Sequence, residues 1–183
     1  MDLQLNDRVV IVTGAAAGIG QATAGLLTAE GSVAVGVDRD EVESGLGHEG
    51  SAIRADLTDG ASGPRIVETP DYAAAKLAVM SMSKALATEF TPQGVRSNVV
   101  TPGMTRTPLY DRPGGCGDQI AEALGTDREQ TLDQVLTTIR PLLTGRIGHP
   151  DDLARVIAYL ISPLSIQVTG AEWVIDGGAL PQI

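Results

Sequence analysis

A run of aliphatic and β-branched residues, Val9-Val10-Ile11-Val12-Thr13, breaks at Gly14 and gives way to a helix-spaced apolar pattern that begins near Gly18. No other feature limits the fold as tightly. A short apolar run without polar alternation reads as a strand buried on both faces. Ile19, Ala22, Leu26 and Leu27 then recur at helical spacing across residues 18–30. The alternation continues. Ser32–Val37 and Ser51–Leu57 read as strands, Asp71–Phe90 as a helix stopped near Gly94, and Val95–Val100 as a strand. Helical patterns follow at 117–124 and 127–140, then a helix from Pro150 to about Ser162 and a last strand at Ala171–Ile175. Strands alternating with helices predict an α/β fold, a doubly wound parallel sheet with helices on both faces.

Composition narrows the class. The chain has 183 residues, which predicts one domain over residues 1–183. Hydrophobic residues make up 43% and aromatics only 3%, so the core must be aliphatic. A net charge of −10 argues against nucleic acid and anionic membranes as partners. Cys116 is the single cysteine, which excludes an internal disulfide and a cysteine-based metal cluster. His48 and His149 stand in Gly- or Pro-flanked loops and predict surface residues, with no metal site. No basic-then-apolar leader and no apolar run of about 20 residues is visible, so a cytoplasmic location is expected.

The glycine turn carries chemistry. In Gly14-Ala-Ala-Ala-Gly18-Ile19-Gly20, the first glycine permits a tight turn, the second lets backbone approach a pyrophosphate, and the third allows close helix packing. Free N–H groups at the helix start can then hold the anion. Asp38 ends the second strand, where an acid can bind a ribose diol. That carboxylate predicts NAD in preference to NADP, while the adjacent Arg39 pulls the other way. The competing reading is an ordinary glycine-rich turn with Asp38 capping a loop.

Tyr72 and Lys76 are four residues apart, so on a helix they share a face. A nearby ammonium favours tyrosinate and lowers the phenol pKa from about 10. Such a tyrosine can give a proton to a carbonyl or take one from an alcohol. Taken alone, the same spacing also fits a surface helix.

Together these motifs are specific. Thr13-Gly14-x-x-x-Gly18-x-Gly20, Tyr72-x-x-x-Lys76, Pro102-Gly103-x-x-x-Thr107 and Val174-Ile175-Asp176-Gly177-Gly178 stand in the order of the short-chain dehydrogenase/reductase family, which the chain resembles over residues 5–59 and 70–180. The resemblance implies a Rossmann-like fold and an NAD(P)-dependent oxidoreductase acting on a small alcohol or carbonyl, expected as a homo-oligomer. It implies that Gly14, Gly18, Ile19 and Gly20 line the pyrophosphate, Asp38 holds the adenosine ribose, and Asp56 and Leu57 lie along the adenine. Tyr72 would be the general acid/base, with Lys76 on the nicotinamide ribose. Pro102, Gly103, Thr105 and Thr107 would form the nicotinamide end, with a flap at about 104–140.

One departure from the family pattern is large. Only fifteen residues lie between Asp56 and Tyr72, where the family carries two further strand–helix units, including its catalytic serine and an asparagine. Ser62 is the nearest substitute. The sheet is therefore expected to shorten to about five strands, ordered 3-2-1 and then the last two, a topology that preserves crossover handedness. Apolar sheet surface would stay bare unless the flap or a second subunit covers it. Two alternatives remain open at this point: a nucleotide-binding pseudoenzyme, and an internally deleted form of a longer dehydrogenase.

Overall fold

A computed structural model of the chain describes residues 1–42, 44–48, 50–54, 70–131 and 142–179. β1 (Val9–Thr13) runs through the glycine turn into α1 (Gly18–Ala29), followed by β2 (Val33–Asp38) and β3 (Ser51–Arg54). After α2 (Pro70–Phe90) and a 3-10 turn at Thr91–Gln93 comes β4 (Val99–Pro102). Next are the short helices α3 (Pro108–Asp111), α4 (Cys116–Leu124) and α5 (Arg128–Gln130). The helix α6 (Pro150–Ile161) and β5 (Glu172–Ile175) close the described chain. No helix among the described residues is long and apolar enough to cross a membrane.

The α/β class and parallel pairing agree with the sequence, and the five strands fall in the expected order. Among the described residues the ladder pairing falls into two sheets, where the sequence predicts one. β1, β2 and β3 make one parallel sheet with β2 in the middle, while β4 and β5 make a separate parallel pair. Val9 stands opposite Val33, and Val35 opposite Ser51. In the second sheet Val99 stands opposite Glu172. α2 ties to the β4–β5 pair through Ser83 Oγ and Ser97 Oγ at 2.8 Å, and Lys84 Nζ donates to Gly170 O at 2.9 Å. Among the described residues β4 pairs only with β5, and nothing brings it against the free edge of β1.

The core sits on one face of the first sheet. Ala34 and Gly36 of β2 are buried there, and a Cβ on Gly36 would crowd Leu46 and Ala15. Leu5, Val12, Ala15, Ala24, Leu27 and Ala158 form one buried cluster that joins β1, the turn, α1 and α6. Burying a leucine such as Leu27 fully is worth roughly 1.5–3 kcal/mol. On the opposite face Val9 is 71% exposed, Ile11 67% and Ile53 52%. Leu77, Val79, Met82 and Leu86 of α2 are exposed as well. The bare apolar surface expected from the short chain is present.

β4 begins four residues later than the sequence predicts, for a clear reason. The Arg96 guanidinium donates to the carbonyls of Leu160, Ser162 and Val168. Asn98 donates to Val168 O and accepts from Ala171 N. Side chains therefore pin 96–98 to the loop before β5, and ladder pairing starts only at Val99. In the predicted flap, the helix expected at 127–140 is described only as the turn Arg128–Gln130, with 132–141 outside the described residues.

Candidate functional site

The glycine turn owes its shape to positions where a side chain cannot fit. Gly14 has φ +72° and Gly18 φ +57°, the left-handed region that favours glycine. A Cβ on Gly20 would lie 2.0 Å from the Gly14 carbonyl oxygen, so the first helical turn closes directly onto the loop. Gly14 N donates to Val37 O at 2.8 Å, which binds the turn to the end of β2. α1 starts at Gly18 without a side-chain cap, so its first N–H groups face outward unsatisfied by any capping residue.

Asp38 meets this turn from β2. Its Oδ2 accepts from Ala16 N at 2.9 Å and its Oδ1 from Asp40 N at 3.1 Å. These backbone donors, Ala16 first, hold the carboxyl below the usual carboxylate range. Arg39 beside it is largely exposed, with only a 3.7 Å contact to Asp40. Arg54 Nε donates to Arg39 O at 2.9 Å, bringing a second guanidinium to the same rim.

The segment after β4 folds back on the turn. A Cβ on Gly18 would lie 3.4 Å from Thr107 Cγ2, so residues nearly ninety apart in sequence are brought close together. Gly103 is backed so closely by Asp176 that a Cβ there would sit 2.5 Å from the Asp176 Cα. Thr105 is buried, its hydroxyl donating to Gly103 O at 3.1 Å. A bridge between Thr105 and Gly148 fixes this loop against the entry to α6. Between these walls opens a cleft of about 670 Å³ lined by Gly18, Gln21, Arg106, Thr107, Arg112 and His149, among others.

Sequence reading missed Gln21, Arg106, Arg112 and His149. Arg106 lies inside the Pro102-Gly103-x-x-x-Thr107 motif, a usable signal. His149 is exposed as expected, but it also caps α6: Asp151 N donates to its Nδ1 at 3.4 Å and His149 N donates to Asp152 Oδ2 at 2.8 Å. Asp152 is gripped in turn by Arg146, with contacts of 2.7 and 2.9 Å, and its pKa falls to about 2, chiefly through that hydrogen-bonded pair.

The structure thus gathers Gly14, Gly18, Ile19, Gly20, Asp38 and Thr107 at one end, with Pro102, Gly103 and Thr105 leading to it. Tyr72 falls in the first turn of α2, its side chain outside the described residues. Lys76 is exposed on α2 and is not among the described residues lining the cleft. Asp56, Leu57 and Ser62 lie outside the described residues.

A family profile described as enoyl-(acyl carrier protein) reductase matches residues 42–179. A 2-keto-3-deoxy-L-fuconate dehydrogenase of Xanthomonas campestris is 38% identical over 107 residues, covering 58% of this chain and 32% of its own length. A short-chain reductase of Streptomyces niveus is 33% identical over 108 residues, covering 59% of this chain and 37% of its own. The match therefore spans about a third of the length of these curated relatives. An L-sorbose reductase from Gluconobacter frateurii, solved with NADPH and L-sorbose, has the same fold, with TM-score 0.82 at 20% identity and coverage of 100% of both chains. The chain belongs to the short-chain dehydrogenase/reductase family.

Proposed function

We propose that the chain binds a nicotinamide dinucleotide at the Gly14–Gly20 turn and serves an oxidoreductase reaction between an alcohol and a carbonyl. The observation that carries this is the cradle itself: two left-handed glycines and a third with no room for a Cβ, at an uncapped helix start. Such a turn fits a pyrophosphate. Gly14, Gly18, Ile19 and Gly20 would hold it, and Thr107 would close over it from the β4 side.

For the ribose, the expectation of NAD is revised toward NADP(H). Both Asp38 oxygens already accept backbone N–H groups, which leaves the carboxylate less free for a ribose diol. Arg39 and Arg54 stand at the same rim and suit a 2′-phosphate. The sorbose reductase of the same fold was solved with NADPH.

When bound, the cofactor supplies hydride transfer. Tyr72 would hold or accept the proton at its phenol oxygen, and Lys76 would keep that phenol acidic. Polyols and sugar-derived carbonyls are the first substrates to try, since relatives by sequence and by fold are named for them. The experiment is NADPH oxidation by the purified chain against a panel of sugar ketones, beside Tyr72→Phe. The proposal expects turnover that falls by roughly 10²–10⁴ in the variant. Equal rates in both proteins would remove Tyr72 from the reaction. NADPH binding with no turnover in either would leave a nucleotide-binding protein only.

A further inference from the structure

Arg106 joins the wall of the cleft to the helices that follow it. Its backbone belongs to the wall: Arg106 N donates to Gly148 O at 2.9 Å, and its neighbours Thr105 and Thr107 are respectively buried and set beside Gly18. Its side chain reaches into the flap. Nε donates to both Asp111 oxygens at 3.2 Å, and Nη2 donates to Glu129 Oε1 at 3.4 Å. Among the described residues these are the only ion pairs that link the β4 loop to α3, α4 or α5.

Beyond Arg106 the flap is tied to itself. Arg128 Nε donates to Asp118 Oδ1 at 2.6 Å and its Nη1 to Asp111 O at 2.7 Å. Asp111 is therefore held at both ends, its carboxylate by Arg106 and its carbonyl by Arg128. α3 depends on such a hold. It has four residues, and Thr107 at its N-cap gives no side-chain bond, where a capping hydroxyl ordinarily steadies the first turn. The cleft depends on α3 in turn: Gly18 and Gln21 line it from α1, and Pro108, Asp111 and Arg112 from the flap. Arg106 is poorly suited to receive a phosphate itself, because two carboxylates already face its one positive charge.

We propose that Arg106 is a positioning residue, which by gripping Asp111 and Glu129 sets α3 across the cleft and makes the flap part of the dinucleotide site. This rests on the reading of the Gly14–Gly20 turn as the pyrophosphate site. A flap already held in place leaves less to be ordered when the dinucleotide binds, and affinity rises accordingly. Loss of the grip weakens binding without removing a ligand contact.

The test compares the full chain with Arg106→Gln, Asp111→Asn and the double variant, by calorimetric titration with NADPH and by amide hydrogen exchange. Each single variant should bind roughly fivefold more weakly, the scale of a partly exposed ion-pair network. The double variant should bind no more weakly than Arg106→Gln, because both changes break one grip. In the parent, NADPH should slow exchange across α4 as well as at the glycine turn; in either variant only the slowing at the turn should remain. Amides of β1 and α1 in the free proteins should exchange alike, which separates a lost grip from a lost fold. Should Arg106→Gln lose the fold, Asp111→Asn carries the test alone.

No binding of NADPH to the parent would remove the pyrophosphate reading and this inference with it. Binding by the parent with equal or tighter binding by Asp111→Asn would overturn the inference alone, since an arginine that meets the phosphates directly gains from losing its carboxylate. Losses that multiply in the double variant, or α4 protection by NADPH that survives in the single variants, would overturn it too.

Discussion

The two faces of the β1–β3 sheet are built from the same strands, yet they differ in nearly every physical respect. Toward α1 and α6, Ala15, Ala24, Leu27, Ala34 and Ala158 are fully buried, and the turn closes so tightly that Gly20 has no room for a methyl group. Toward the other side, Val9 and Ile11 are about two-thirds exposed, and α2 is fastened to the β4–β5 pair instead of lying over them. The finished face carries the Gly14–Gly20 turn. The glycine turn is thus held by the chain's own core, while the β1 side of the same sheet is left bare among the described residues.

Three substitutions or conditions sharpen that contrast. The largest effect belongs to Gly20→Ala, whose Cβ would be driven into the Gly14 carbonyl. It should cost on the order of 4 kcal/mol, the exceptional end of single substitutions, as read by urea denaturation. Leu27→Ala should cost about 3 kcal/mol, because Leu27 is fully buried between strand and helix. Ile11→Ser, on the bare face of the same sheet, should stay within about 0.5 kcal/mol of the parent. If Ile11→Ser cost as much as Leu27→Ala, the bare face would be covered in solution and the contrast would fail.

A smaller effect sets a pH limit on the cleft wall. Asp152 titrates near 2 in the folded chain because Arg146 holds it ionised. A depressed carboxyl stabilises the fold above its unfolded pKa of about 4 and loses that contribution as pH falls toward 2. The pair is partly exposed, so roughly 1–2 kcal/mol is the expected scale. Arg146→Ala should flatten the stability profile between pH 4 and pH 2 and leave its slope above pH 5 unchanged. An unchanged profile in the variant would show that the pair contributes nothing.

Much of the finished face was legible in sequence. The run Val9–Thr13, the three glycines and Asp38 are local signals, and each sets its own backbone geometry. The closeness of Thr107 to Gly18 had no signal in the sequence. What escaped was long-range. Pattern alone could not show that Arg96 and Asn98 would divert 96–98 from the ladder, because their partners lie some seventy residues away. Nor could it show that, among the described residues, β4 would pair only with β5. A parallel strand has no local signal for its neighbour, and the choice is made by packing across the whole sheet. Asp38 illustrates a third case: its position was right, but the backbone donors that occupy it became visible only in three dimensions.

The most direct measurement is a calorimetric titration of the chain with NADPH, run beside Gly20→Ala at a temperature where circular dichroism shows both folded. The account predicts saturable binding to the parent, lost or weakened by about a hundredfold in the variant, because the cradle is built from β1, the turn and the start of α1 alone. Absence of binding to the parent, or equal binding to both proteins, would contradict it.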